Sequence, residues 1–252
     1  MELTNRIRKM VASLGSARSR KEEGCFVAEG TKCVADTWGH FRCRYLIAVD
    51  EWVKQYEGMC SGADVCVAKR ADMERMTQLT TPPQVIAVYD IPEPVSDGTE
   101  PVNGLVIALD RVQDPGNLGT IIRVADWFGV TTLLCSRDTV DVFNPKVVQA
   151  TMGAIARVNV VYCDLVDAIS RNHDVPVYGT FLDGDSIYST SLSGRGIVVM
   201  GNEGQGISDE VGRLVTHRLL IPSFPPDRPT SESLNVGMAT AITIAEFRRR
   251  QS

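Results

Sequence analysis

Apolar positions along this chain repeat with two periods, and the two alternate. The opening LTNRIRKMVASLG sets Leu3, Ile7, Met10, Val11 and Leu14 at helical spacing. Short apolar runs that read as strands follow at FVAEG, YLIAV, DVCVAK and QVIAVYD. Helical patterns lie between them at TKCVADTWG and ADMERMTQL. Further along the alternation is stricter. Strands are predicted at GLVIALD, TTLLCS, RVNVVYC, VYGTFL, GIVVMG and HRLLIP. Helices are predicted at GTIIRVADWFG, NPKVVQATMGAI, DLVDAISRN and SDEVGRLV, and a last helix from Ser233 to Arg250. Strands apolar on both faces and separated by helices imply a parallel sheet covered on both sides. The stretch IPEPVSDGTEPVN holds three prolines and three acids and has little to bury. That is linker chemistry. It divides the chain into residues 1–90, a linker at 91–103, and residues 104–252. Both parts are α/β, a small module followed by a parallel-sheet domain.

Composition narrows the class without choosing a function. The 252 residues are 44% hydrophobic and 23% charged, as in ordinary soluble globular proteins. The net charge of −5 advertises no nucleic-acid partner, but phosphate contacts depend on a local patch. The opening is locally basic: Arg6, Arg8, Lys9, Arg18, Arg20 and Lys21 outnumber Glu2, Glu22 and Glu23. It reads either as a solvated helix face or as a patch that tracks phosphates. The seven cysteines are irregularly spaced, with no C-x-x-C and only three histidines in support. That offers no zinc set, so no metal is expected, and it fits the reduced thiols of a cytoplasmic protein. The start MELTNRIRKMVASLG lacks an apolar signal core, and no apolar run approaches the ~20 residues of a membrane span.

In open parallel sheets, ligands bind beyond the carboxyl ends of the strands. Three polar loops follow strands in this way: RVQDPGNLGTIIR, NEGQGIS and SFPPDRPTSESLNVG. In the first, Asn117 is placed to cap a helix and Gly119 to admit a close backbone. Arg123 either pairs with Asp126 at i,i+3 or is free for chemistry. In the second, Gly201, Gly204 and Gly206 read G-x-x-G-x-G, the wrong order for the dinucleotide fingerprint. Its N–H groups suit a polar ring edge or an anion, while Glu203 disfavours a polyphosphate and suits a cationic or hydroxyl-bearing ligand, or a structural arginine. In the third, Ser233 is a candidate N-cap and Asn235 falls in the first turn of the last helix. That helix is apolar nearly all round and calls for burial on several faces, a subunit interface included, with the arginines at 248–250 at its exposed end. His40, His173 and His217 are scattered, and no serine-histidine-acid set emerges.

These three loops, in this order, resemble the three motifs of the SpoU/TrmH family of RNA ribose methyltransferases, in the SPOUT class. The motifs stand here as LDRVQDPGNLGTIIRVADWFGV, IVVMGNEGQGIS and LLIPSFPPDRPTSESLNVGMATAITIAEFRR. More loosely, the opening LTNRIRKMVASLGSARSRKEEGCFVAEG looks like the family's ribosomal-protein-like RNA-binding domain. The resemblance implies a trefoil-knotted catalytic domain, S-adenosylmethionine as cofactor, rRNA or tRNA as substrate, and a homodimer. General chain-topology rules would predict an unknotted sheet. By the same resemblance Gly201, Ile221 and Leu234 hold the cofactor through backbone groups. Asn202 and Glu203 line the pocket, and Thr180, Phe181 and Leu182 lie near the adenine. Asn117, Arg123, Glu203, Ser233 and Asn235 match the catalytic polar set, and Arg123 also reaches RNA. One segment departs from the family's usual pattern: SFPPDRPTSE is longer and rich in proline. Two other readings are an RNA-binding protein of this fold without catalysis, and a nucleotide-dependent oxidoreductase. The second is disfavoured by the missing fingerprint.

Overall fold

A computed structural model describes residues 1–252 except 61–62, 95, 226–232 and 252. Most of the SFPPDRPTSE segment therefore lies outside the described residues. The chain forms two compact units, Met1–Glu93 with Asp141–Ala156, and Pro94–Val140 with Arg157–Ser252.

The first unit begins with α1 (Asn5–Ser13), α2 (Ala17–Glu23), β1 (Cys25–Glu29), α3 (Thr31–Thr37) and β2 (Cys43–Ala48). It continues with α4 (Asp50–Gln55), α5 (Glu57–Cys60), β3 (Val65–Val67), α6 (Arg70–Met76) and β4 (Val85–Asp90). The four strands form one sheet in the order β1-β4-β2-β3, with β4 antiparallel to both neighbours and β2 parallel to β3. The apolar stripe of α1, Leu3, Ile7, Val11 and Leu14, is buried with Val27, Ile47, Ile86 and Val88 of the sheet. The segment 141–156, which follows the strand TTLLCS in sequence, belongs to this unit and places Phe143 4.7 Å from Phe26 on β1.

Arg20 of α2 has only 2% of its surface exposed. It donates to the carbonyls of Leu14 (2.8 Å) and Gly15 (3.1 Å) and to Asp141 (2.9 and 2.5 Å). A charge this deeply buried persists only when paired and fully bonded. Arg20 is therefore structural and is withdrawn from the basic RNA patch.

The second unit holds β5 (Leu105–Leu109), α7 (Pro115–Trp127) and β6 (Thr132–Ser136). After α8 (Pro145–Thr151) of the first unit come β7 (Asn159–Cys163), α9 (Leu165–Arg171), β8 (Val177–Ser186) and β9 (Gly196–Met200). It ends with α10 (Asp209–Gly212), β10 (His217–Leu220) and α11 (Val236–Arg249). All six strands are parallel, in the order β10-β8-β9-β5-β6-β7. The central pair β5 and β9 is buried at every position, as continuous apolar runs require.

Two caps differ from expectation. Helix α7 starts earlier than the apolar pattern does, because Asp114 accepts from the Asn117 N–H and Pro115 fits the first helical position. Asn117 is thus in the first turn, and its side chain is released from capping. Asn235, not Ser233, caps α11, accepting from the N–H groups of Gly237 and Met238. Helix α11 buries one stripe, including Thr240, Ile244 and Phe247, and leaves Met238 58% exposed.

Of the three arginines at the end of α11, Arg248 and Arg250 are clamps, while Arg249 is exposed and pairs with Glu246 on the same helix. Arg248 donates to the Phe128 (2.7 Å) and Gly129 (3.1 Å) carbonyls at the end of α7. Arg250 donates to the carbonyls of Ile187, Tyr188 and Thr190 after β8. Glu246 accepts from both Arg249 and Arg250 at 2.7–2.8 Å. All seven cysteines are free thiols, and burial pushes Cys25, Cys33, Cys43 and Cys163 up to about 11, away from the reactive thiolate.

The guanidinium groups of Arg249 and Arg250 hold the Glu246 carboxyl down to about 2, against an ordinary value of 4.5. A depressed carboxyl stabilises the fold above its unfolded value and loses that contribution as pH falls through the folded one. The gap in melting temperature between wild type and Glu246→Gln is therefore constant above about pH 5 and narrows between pH 4.5 and 2. A gap that stays flat down to pH 2 contradicts the clamp.

Candidate functional site

The loops after β5, β9 and β10 meet at the carboxyl edge of the parallel sheet. The first contact is made by Asp110, which is 3% exposed and accepts from the Ser208 N–H at 2.6 Å. Arg111 follows in the left-handed region at φ 61°, a costly conformation for a residue with a Cβ. The strain is offset by what that turn aims. The Arg111 N–H donates to Ser136 Oγ (2.9 Å), and its carbonyl accepts from Asn202 Nδ2 (2.8 Å). Its guanidinium reaches Asp110 (3.2 Å) and Gln205 (2.9 Å). The loop after β5 is thus sewn to the loop after β9.

The GNEGQG loop is a closed hairpin. Asn202 and Gly206 exchange backbone hydrogen bonds at 3.0 and 2.9 Å. Asn202 Oδ1 accepts from the N–H groups of Gly204 (2.9 Å) and Gln205 (3.1 Å). The consecutive N–H groups that the sequence offered to a ligand are therefore spent inside the loop. Gly201 is required by space, since a Cβ there would sit 2.3 Å from the Gly206 carbonyl carbon. What the hairpin presents outward is Glu203.

Glu203 is one end of a hydrogen-bond line that joins all three loops. Asn117 Nδ2 donates to Glu203 Oε1, and Asn117 Oδ1 accepts from Asn235 Nδ2 at 2.8 Å. Asn235 Oδ1 then caps α11 at 3.0 and 3.3 Å. The direction is fixed by chemistry. An ionised carboxylate only accepts, so Asn117 must turn its amide nitrogen to Glu203. Its oxygen then needs the Asn235 amide, whose own oxygen is left for the helix N-terminus.

Arg123 is exposed and makes no hydrogen bond or ion pair among the described residues. Its i,i+3 neighbour Asp126 is held instead by Arg157 at 2.7 and 2.9 Å. The helix-pairing alternative for Arg123 is closed. Ser233 and Leu234 are exposed, the latter 49%. The main-chain groups of Gly201, Ile221 and Leu234 have no hydrogen-bond partner among the described residues.

Residues 180–184 bulge from the sheet, because β10 pairs Arg218 with Gly179 and then Leu219 with Asp185. Thr180 Oγ1 lies 3.8 Å from the Met200 sulfur. The Phe181 ring lies against Gly179, where a Cβ would meet it at 2.7 Å. The Arg218 guanidinium covers the ring at 3.5 Å and pairs with Asp183. Leu182 at the tip is 72% exposed.

In the first unit, Arg6, Lys9, Arg18 and Lys21 are exposed, Arg18 in an i,i+4 pair with Glu22. Arg8 is tied to Asp72 at 2.9 Å. Asp110, Arg111, Gln205 and Arg218 were not singled out from sequence. Only Asp110 and Arg111 had a visible signal, their place at the end of an apolar strand run.

A parallel α/β domain whose polar groups converge from three loops at one strand edge, with a smaller α/β module before it, defines an enzyme-like class. Comparison with known proteins makes it particular. The SpoU rRNA Methylase family matches residues 104–245, and the chain belongs to that family. An MRM3-like substrate binding domain matches residues 5–87. The chain is 27% identical over 238 residues to the 23S rRNA (guanosine(2553)-2'-O)-methyltransferase of Bacillus subtilis, covering 93% of each. It is similar to the solved structure of a TrmH-family protein from Porphyromonas gingivalis (TM-score 0.86, 41% identity, 98% and 99% covered). It is also similar to an AdoMet-bound rRNA methyltransferase from Sinorhizobium meliloti (TM-score 0.87, 28% identity, 100% and 98% covered).

The Arg218 latch has a structural readout. Exposed cation–π contacts contribute about 0.5–1 kcal/mol. Arg218→Ala should therefore leave the melting temperature within a few degrees while amide exchange quickens across residues 180–184. Unchanged exchange there would show that the bulge is held by other contacts.

Proposed function

We propose that the protein transfers a methyl group from S-adenosylmethionine to a ribose 2′-hydroxyl of RNA. The observation that carries the reading is the Glu203–Asn117–Asn235 line, which makes one site of the three family motifs. The 23S rRNA named for the Bacillus relative favours rRNA over tRNA.

The donor set fits this cofactor. Main-chain groups at Gly201, Ile221 and Leu234, without partners among the described residues, suit the edge of a neutral adenine. Leu182 and Leu234 offer exposed apolar surface, and Arg218 covers the Phe181 ring. Glu203, fixed by Asn117, places a carboxylate where a sulfonium cation is favoured. When bound, the cofactor supplies an activated methyl group. Asn202 closes the hairpin that carries Glu203, and Ser233 stands exposed at the entry to α11. Among the described residues that meet here, Glu203 is engaged by Asn117. Arg123 carries a guanidinium, a cation rather than a base. Its role is to grip the phosphate and stabilise the alkoxide that develops as the hydroxyl attacks.

We further infer a homodimer acting in the cytoplasm. Helices α7 and α11 pack together so closely that a Cβ on Gly237 would lie 3.1 Å from the Thr120 methyl group, and both helices leave large apolar side chains outside. Trp127 is 84% exposed and Met238 58%. The trefoil knot implied by the family resemblance belongs to the same proposal. So does the division of labour between an RNA-binding part at 1–90 and a catalytic part at 104–252.

Arg123→Ala should lower turnover by about 10²–10³ while leaving S-adenosylmethionine affinity, read by calorimetry, within a few-fold. A large loss of cofactor affinity with turnover preserved at saturation would remove this role. Light scattering should give twice the monomer mass for wild type and the monomer mass for Trp127→Glu. A monomeric wild type contradicts the dimer.

A further inference from the structure

We propose that the groove between α1 and the start of β2 binds a single-stranded segment of the substrate RNA. In it Tyr45 stacks on a base, and Arg6 and Lys9 take flanking phosphates. The proposal rests on the reading of RNA as substrate and locates its contact on the first unit.

The groove is a cavity of about 850 Å³ lined by Thr4, Asn5, Arg6, Lys9, Ser13, Glu23, Arg44 and Tyr45, with Ile7 and Met10 at its floor. Sites of this size accept small organic groups such as a nucleotide. Its charged members are three cations and one acid, and they are not equivalent. Arg44 is committed to Asp90 at 2.6–2.7 Å and to the Glu23 carbonyl at 2.9 Å, so it builds the wall. Arg6 and Lys9 are exposed, and neither makes an ion pair among the described residues. They are the cations available to an incoming anion.

Tyr45 decides the kind of nucleic acid. It is half-buried, with one flank packed on the core of the first unit. Its hydroxyl makes no hydrogen bond among the described residues. A ring anchored on one side and open on the other, beside free cations, suits an unstacked base with its phosphates. A duplex would leave that ring unused, because its bases are already stacked. Asn5 and Ser13 also line the groove, Asn5 accepting from Arg8 through its oxygen and Ser13 donating to the Met10 carbonyl, which leaves the Asn5 amide nitrogen for a ribose hydroxyl. By contrast Arg18 and Lys21 lie on α2 outside the groove, Arg18 paired with Glu22. They form a solvated basic face and serve as the control.

The test uses the full chain, with a labelled unstructured RNA oligonucleotide and a labelled RNA hairpin duplex as probes, and calorimetry with S-adenosylmethionine. Arg6→Glu with Lys9→Glu should weaken single-strand binding at least tenfold and flatten its salt dependence by about 1.4 in log–log slope. Tyr45→Leu should weaken it about tenfold, and Tyr45→Phe should bind as wild type. Arg18→Glu with Lys21→Glu should change binding less than threefold. Melting temperature and S-adenosylmethionine affinity should hold in all variants. The groove is overturned if the α2 pair is the one that weakens binding, if Tyr45→Leu binds as wild type, or if the hairpin duplex is preferred. RNA binding decides the groove, whereas S-adenosylmethionine binding decides the reading beneath it, so the two fail separately.

Discussion

The Asn117 side chain is the point on which the second unit's site depends. It accepts from one loop and donates to another, and its own backbone N–H is held by Asp114. Three loops separated by 86 and 118 residues in sequence meet on one amide. Asp110 and the strained Arg111 hold the first, the Asn202 hairpin closes the second, and Asn235 caps α11 where the third ends. A preorganised polar frame of this kind lets a site stabilise charge without rearranging when the charge develops.

The ends of the long helices are fixed by the same logic at a distance from that juncture. Arg248 satisfies carbonyls that α7 leaves open at its C-terminus, and Arg250 does so for the turn after β8. Helix α7 carries both Asn117 and Arg123, so its register bears on the site. Glu246 holds the fork of guanidinium groups in place while remaining charged. The arginines therefore belong to the architecture of the site even though none of them faces it.

Legibility from sequence followed the range of the interactions. Strands β5 and β9 were readable because burial on both faces writes an unbroken apolar run. The three loops were readable because each follows such a run at its carboxyl end. The caps were misplaced by a few residues because Asn117 and Ser233 are as good a capping type as Asp114 and Asn235. For α7, Pro115 at the first helical position separates the choices, whereas α11 carries no such mark. Arg20 read as a surface cation because its partner Asp141 lies 121 residues away. The Phe181–Arg218 latch depends on a register break between two parallel strands, and no local pattern announces one. Arg123 is the opposite case. Its sequence left two roles open, and one distant residue, Arg157, closed the pairing role by occupying Asp126.

The central claim is that one site built on Asn117 methylates a ribose hydroxyl. The direct measurement incubates rRNA from cells lacking the gene with labelled S-adenosylmethionine and digests the product to nucleosides. Wild type should yield a single 2′-O-methyl nucleoside, and Asn117→Ala, with its melting temperature retained, should yield almost none. Label on a base, or equal labelling by Asn117→Ala, would contradict the account.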